Sequence, residues 1–113
     1  SPPEFDLCCE EMLLALDDDR NPSVVMAEAP HGTAPALEGK DVANPMAMIL
    51  AVGALLGFAG ERGDEAAARA SAAVHEAVME TTAAGVRTPD LKGHASTTEF
   101  TDAVIELTRA KLG

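Results

Sequence analysis

The chain has no tryptophan and no tyrosine, and only three phenylalanines among its 113 residues. Stacking platforms for bases or sugars are therefore scarce. The core has to come from Ala, Leu, Val and Met instead. Basic residues are also few. Eight Lys and Arg face 19 Asp and Glu, a formal net charge of −11. Nucleic acid and anionic membrane surfaces both need clustered cations, so this balance argues against either partner. The two cysteines, Cys8 and Cys9, are adjacent. A disulfide between neighbours distorts the peptide that joins them, so two reduced thiols in a cytoplasmic protein are expected. No basic segment followed by an apolar run opens the chain, and no signal peptide is read there. The first residue is Ser1 rather than Met, as in a processed or partial chain.

What is present suits one domain over residues 1–113, long enough to bury roughly two thirds of its unfolded surface. A hydrophobic content of 47% excludes a disordered acidic tail. The N-terminal segment opens on Ser1-Pro2-Pro3-Glu4, an N-cap pattern. Phe5, Leu7, Cys8, Met12, Leu13 and Leu16 follow as an apolar set whose second half has helical spacing. A short strand over 5–9 feeding a helix from Glu10 fits equally well. Asp17, Asp18 and Asp19 should lie just beyond that helix, because its C-terminus disfavours negative charge. Ser23-Val24-Val25-Met26-Ala27 is the best strand in the chain. Gly and Pro then make residues 30–41 an irregular loop.

Asn44 and Pro45 read as N-cap and first residue of a helix over 46–59, closed by Gly60. Every residue from 46 to 59 is apolar or Gly, yet the run falls short of the ~20 residues that span a bilayer. A buried core helix is expected, with Gly53 and Gly57 admitting a close neighbour. Asp64 caps the next helix, which ends near Ala84 before Gly85. Its narrow stripe is Ala67, Ala70, Val74, Ala77, Val78 and Thr81, with Glu65, Arg69, Glu76 and Glu80 in water. Residues 86–91 read as a linker loosened by Gly93. Ser96 to Glu99 is a capping box. The last helix presents Phe100, Ala103, Val104, Leu107 and Ala110, broadened by Ile105 and Leu112.

Two stretches carry a family resemblance. Ala27-Glu28-Ala29-Pro30-His31-Gly32-Thr33-Ala34-Pro35, followed by Gly39-Lys40-Asp41-Val42-Ala43-Asn44-Pro45, resembles the adenosine-binding loop of the β-decarboxylating dehydrogenases, the isocitrate, 3-isopropylmalate and tartrate dehydrogenases. Gly85 to Leu91 and Thr98 to Val104 are similar to the same family's segment before the last helix and to its terminal helix, and Glu4-Phe5-Asp6-Leu7 to the strand before its metal region. The resemblance implies that His31, Gly32, Thr33 and Ala34 line the adenosine of NAD or NADP and that Asn44 meets the adenine edge. An amide can both donate to and accept from a purine. Gly32 would let backbone approach the ligand.

The departures from the family pattern are as informative. The position that selects NAD or NADP is Ala36, which can do neither, and a second phosphate-contacting position falls at Pro89. The arginines, the Lys and Tyr of acid–base work, and the N-terminal half are missing, so no catalytic residue is assigned. The family's Mg²⁺ or Mn²⁺ aspartates have no clean counterpart. Asp17, Asp18 and Asp19 are weak candidates, better read as a solvated acidic turn. The expected fold is mainly α with one or two short β segments. It would be a C-terminal fragment of the isocitrate/isopropylmalate dehydrogenase-like α/β fold, repacked into a bundle or completed by a partner chain. A homo-oligomer with C₂ symmetry, or the missing N-terminal half, would cover its apolar surface. Two functions follow. One is a truncated domain that holds adenosine for an NAD(P)-dependent oxidoreductase but cannot catalyse alone. The other is a non-catalytic relict serving as a helical binding or oligomerisation module, with nucleotide sensing between them.

Overall fold

The computed structural model describes residues 11–16, 22–29 and 34–113. A hairpin comes first: β1 (Glu11–Leu16) pairs antiparallel with β2 (Pro22–Glu28), Glu11 opposite Glu28 and Leu14 opposite Val25. Three helices follow, α1 (Met46–Glu61), α2 (Glu65–Ala83) and α3 (Thr97–Leu112), with 3₁₀ turns at Pro35–Leu37 and Pro89–Leu91. The expected strand at 23–27 is present. The expected helix from Glu10 is not, because residues 11–16 form a strand. The apolar run there is only five residues long and ends on three aspartates, which oppose the dipole of a helix C-terminus. The β-branched run beside it offers a complete ladder instead. The readings of Ser1 to Glu4, of a strand over 5–9, of the two cysteines and of Asp17 to Asp19 lie outside the described residues.

Most helix ends follow the caps in the sequence. α1 starts one residue later than expected: Pro45 is its N-cap, its carbonyl accepting from the Ile49 N–H at 3.1 Å, and Asn44 lies just outside the helix, its Oδ1 accepting from the Met46 N–H at 2.9 Å. Asp64 Oδ1 accepts from the Ala67 N–H at 3.0 Å to start α2. Ser96 and Glu99 close the capping box of α3: the Glu99 N–H donates to Ser96 Oγ and the Ser96 N–H to Glu99 Oε1. Gly85, at φ 93°, takes the left-handed turn after α2. Gly60 does not end α1. The helix continues to Glu61, and Gly63 at φ 104° makes the turn. Gly60 serves packing instead, since a Cβ there would lie 2.7 Å from Ala68 Cβ.

That contact is part of a seam. A Cβ on Gly53 would come 2.8 Å from the His75 ring, and one on Gly57 3.1 Å from Ser71 Oγ. Ser71 Oγ donates to the Gly53 carbonyl at 2.8 Å across the same seam. Close approach of α1 and α2 lets short side chains fill the interior without voids. Met46, Leu50, Ala77, Val78, Phe100 and Val104 form the core, with Ile49, Val86, Leu91 and Leu107 packed around it. Phe100 is 1% exposed and Val78 fully buried. Truncating a buried phenylalanine to Ala generally costs about 3–5 kcal/mol.

Three other expectations change. Residues 86–91 are no loose linker: Val86 and Leu91 pack on the core and Thr88 is buried. A Cβ on Gly93 would collide with the Arg87 carbonyl, so that glycine permits a tight crossing rather than loosening one. On α3, Ile105 and Leu112 are exposed, because the core accepts only the stripe centred on Phe100 and Val104. Finally, α1 is apolar all round but not buried all round. Met48, Val52 and Leu55, at i, i+4 and i+7, are 53%, 50% and 42% exposed.

The seam generates the first prediction. Ala is favoured over Gly in a helix by about 1 kcal/mol, but overpacking a tight contact costs about 1–3 kcal/mol. Gly60→Ala should therefore be destabilised, with a lower midpoint in urea. A raised midpoint would show that the two helices can separate freely.

Candidate functional site

Residues 34–45, leading into α1, are built from short local turns. Ala34 sits at φ 46°, and the Leu37 N–H returns to its carbonyl at 2.9 Å. Gly39 at φ 77° and Asp41 at φ 55° reverse the chain again before α1. Asp41 is then tied to the start of α3. Its carbonyl accepts from the Thr97 N–H at 2.9 Å. Its Oδ1 accepts from the Thr98 N–H at 3.0 Å and from Thr98 Oγ1 at 2.9 Å. Thr97 Oγ1 donates to the Ala43 carbonyl next door. A carboxylate at a helix N-terminus satisfies orphan donors and complements the dipole.

Asn44 is held on the other side of this loop. Its Oδ1 accepts from Met46 N–H, and its Nδ2 donates to Asp90 Oδ2 at 3.0 Å. Asp90 belongs to the 3₁₀ turn Pro89–Leu91, and its Oδ1 accepts from Thr88 Oγ1. The buried Thr88 thus anchors Asp90, and Asp90 anchors Asn44. Among the described residues the Asn44 amide has spent one N–H and one lone pair. One donor and one acceptor remain, the pair that a purine edge requires.

Of the residues singled out from the sequence, Ala34 and Asn44 are described, and both lie on this loop. His31, Gly32 and Thr33 fall outside the described residues, as do Asp17, Asp18 and Asp19. Ala36 is exposed on the 3₁₀ turn Pro35–Leu37. Pro89, the other position bearing on coenzyme choice, neighbours the Asp90 that reaches Asn44. Asp41 and Asp90 were not foreseen. Thr88-Pro89-Asp90 is a turn signature that could have pointed to Asp90. Nothing near Asp41 in sequence could have pointed to partners 57 residues away. Among the described residues no group of three His, Cys, Asp or Glu could hold a metal ion. No helix is long and apolar enough to cross a membrane. An open groove on α2 and α3, lined by His75, Glu76, Met79, Glu80 and Lys111, shares no residue with the loop. Lys111 there pairs with Glu80 and Glu76.

Asp41 generates the second prediction. Asp41→Ala leaves the Thr98 N–H without its acceptor, a change of the N-cap kind that costs about 0.5–2 kcal/mol. A lower urea midpoint with unchanged helical circular dichroism is expected. An unchanged midpoint would show that the loop is not held by α3.

Comparison with known proteins agrees with these motifs. The family model for isocitrate/isopropylmalate dehydrogenase matches residues 17–104. Isocitrate/homoisocitrate dehydrogenase of Thermus thermophilus is 48% identical over 79 residues, which cover 70% of this chain and 22% of that protein. 3-Isopropylmalate dehydrogenase B of Aspergillus niger is 40% identical over 84 residues, 74% of this chain and 21% of its own. The NAD isocitrate dehydrogenase catalytic subunit 5 of Arabidopsis thaliana is 40% identical over 86 residues, 74% of this chain and 21% of its own. The chain thus spans about a fifth of the length of the relatives it matches.

Proposed function

Because this chain belongs to the isocitrate/isopropylmalate dehydrogenase family, we propose that it holds the adenosine half of NAD or NADP for an oxidoreductase and cannot catalyse alone. One observation carries the reading: the loop keeps a doubly anchored amide, Asn44, with a donor and an acceptor unused among the described residues. Adenosine fits this chemistry. His31, Gly32, Thr33 and Ala34 would line the nucleoside, and Asn44 would meet the adenine edge. The bound coenzyme would supply the hydride acceptor. The part of this chain is to bind and orient one end of it. Ala36 and Pro89 carry no charge, so neither favours nor repels a 2′-phosphate. The catalytic acid and base, the substrate-binding arginines and any metal ligands would come from outside residues 1–113.

This reading makes a direct demand on affinity. AMP, NAD⁺ and NADP⁺ should each bind in calorimetry, with NAD⁺ and NADP⁺ within a few-fold of one another. His31→Ala should weaken AMP at an unchanged melting temperature. Absence of heat and of thermal shift at millimolar ligand would refute nucleotide binding, and an unaffected His31→Ala would refute the loop assignment.

The exposed stripe of α1 favours a second element of the reading. Met48, Val52 and Leu55 present an apolar strip on a helix with no polar face. A second copy of the chain, or the remaining four fifths of a dehydrogenase, is its natural cover. If a second copy covers it, the chain works as an oligomerisation module even where nucleotide is absent. Light scattering should then give a dimer that Val52→Glu converts to a monomer. A monomeric parent chain would remove self-association and leave the missing half as the cover.

A further inference from the structure

The bonds around Asn44 fix more than its position. An Asn amide has a donating end and an accepting end, and a half-turn about χ2 exchanges them. Here both neighbours oppose that exchange. Met46 N–H can only donate, so it must face Oδ1. The Asp90 carboxylate can only accept, so it must face Nδ2. After a flip, Oδ1 would meet the carboxylate and Nδ2 would meet the N–H, leaving two unmatched pairs. Asp90 is itself held, because its second oxygen accepts from Thr88, which is 1% exposed.

We infer that Asp90 is a positioning residue which, together with the Met46 N–H, locks the polarity of the Asn44 amide and thereby strengthens the preference of the site for adenine over hypoxanthine. The inference rests on the adenosine-site reading above. Adenine presents a donor at N6 beside an acceptor at N1 or N7, and a fixed amide can meet both. Hypoxanthine has an acceptor at position 6 beside a donor at N1, the reverse order. It also shows two acceptors along its O6/N7 edge. A locked amide meets neither pattern, while an amide free to flip can meet the reversed one. Asp90 need not touch the base for this, since it acts through the orientation of Asn44.

Asp90→Asn tests the inference on the full chain. The replacement keeps the shape but can donate or accept, so one of the two mismatches that oppose the flip is removed and only the Met46 N–H still resists it. The readout is the ratio of AMP to IMP affinity by calorimetry. The parent chain should favour AMP by about tenfold or more, the worth of one matched bidentate pair. Asp90→Asn should lower the ratio by about threefold or more, mainly by strengthening IMP. A purely structural role would weaken both nucleotides alike and leave the ratio unchanged, which would overturn the inference. Asp90→Ala, with melting temperature followed in parallel, serves as the second variant and should also lower the ratio. A parent chain that binds AMP and IMP equally overturns the inference while leaving a nucleotide site standing. A parent chain that binds neither overturns the adenosine reading itself, and the inference with it.

Discussion

Helix α1 has no polar face, and a chain of 113 residues has little material with which to cover it. The rest of the described structure answers that constraint. On one side, Gly53, Gly57 and Gly60 let α2 come close enough for alanines to exclude water. On another, the β-hairpin packs against the helix, chiefly through β2. Phe100 and Val104 of α3 close the end of the core around Met46, Leu50 and Val78. Among the described elements, none packs on a third side. The strip of Met48, Val52 and Leu55 is exposed there, and the chain spans about a fifth of the length of the relatives it matches.

The same packing places the loop. Asn44 and Asp41 bracket the start of α1, which the core holds through Met46 and Leu50. From there each reaches a different part of the chain: Asp41 the first turn of α3, Asn44 the turn at Asp90. Two pairs of residues, 46 and 57 positions apart, are therefore registered by hydrogen bonds that depend on the core beneath them. The exposed polar tie costs little stability on its own, yet it determines which way an amide faces. Packing energy thus becomes directional chemistry at one surface.

Local signals were legible in the sequence. The caps at Asp64 and Ser96 act over three residues, and both are present, while the helix after Asn44 starts one residue later than its signal, with Pro45 as N-cap. The narrow stripe on α2 and the glycine approach on α1 were legible for the same reason. Nonlocal outcomes were not. Residues 11–16 form a strand because a ladder partner is available, which short apolar periodicity cannot reveal. Gly60 looked like a stop signal because its packing partner, Ala68, belongs to the next helix. Asp90 and Asp41 matter through partners 46 and 57 residues distant. The loop motif was recognisable by its residues, but the anchoring of Asn44 became visible only in three dimensions.

The central claim is that this loop, on this core, holds adenosine. The most direct measurement is residue-resolved: amide chemical shifts of the labelled chain during titration with AMP. The account predicts saturable shifts at Ala34, Asn44, Met46 and Asp90, with the groove around His75 and Lys111 unmoved. Shifts confined to that groove, or none at saturating AMP, would contradict it.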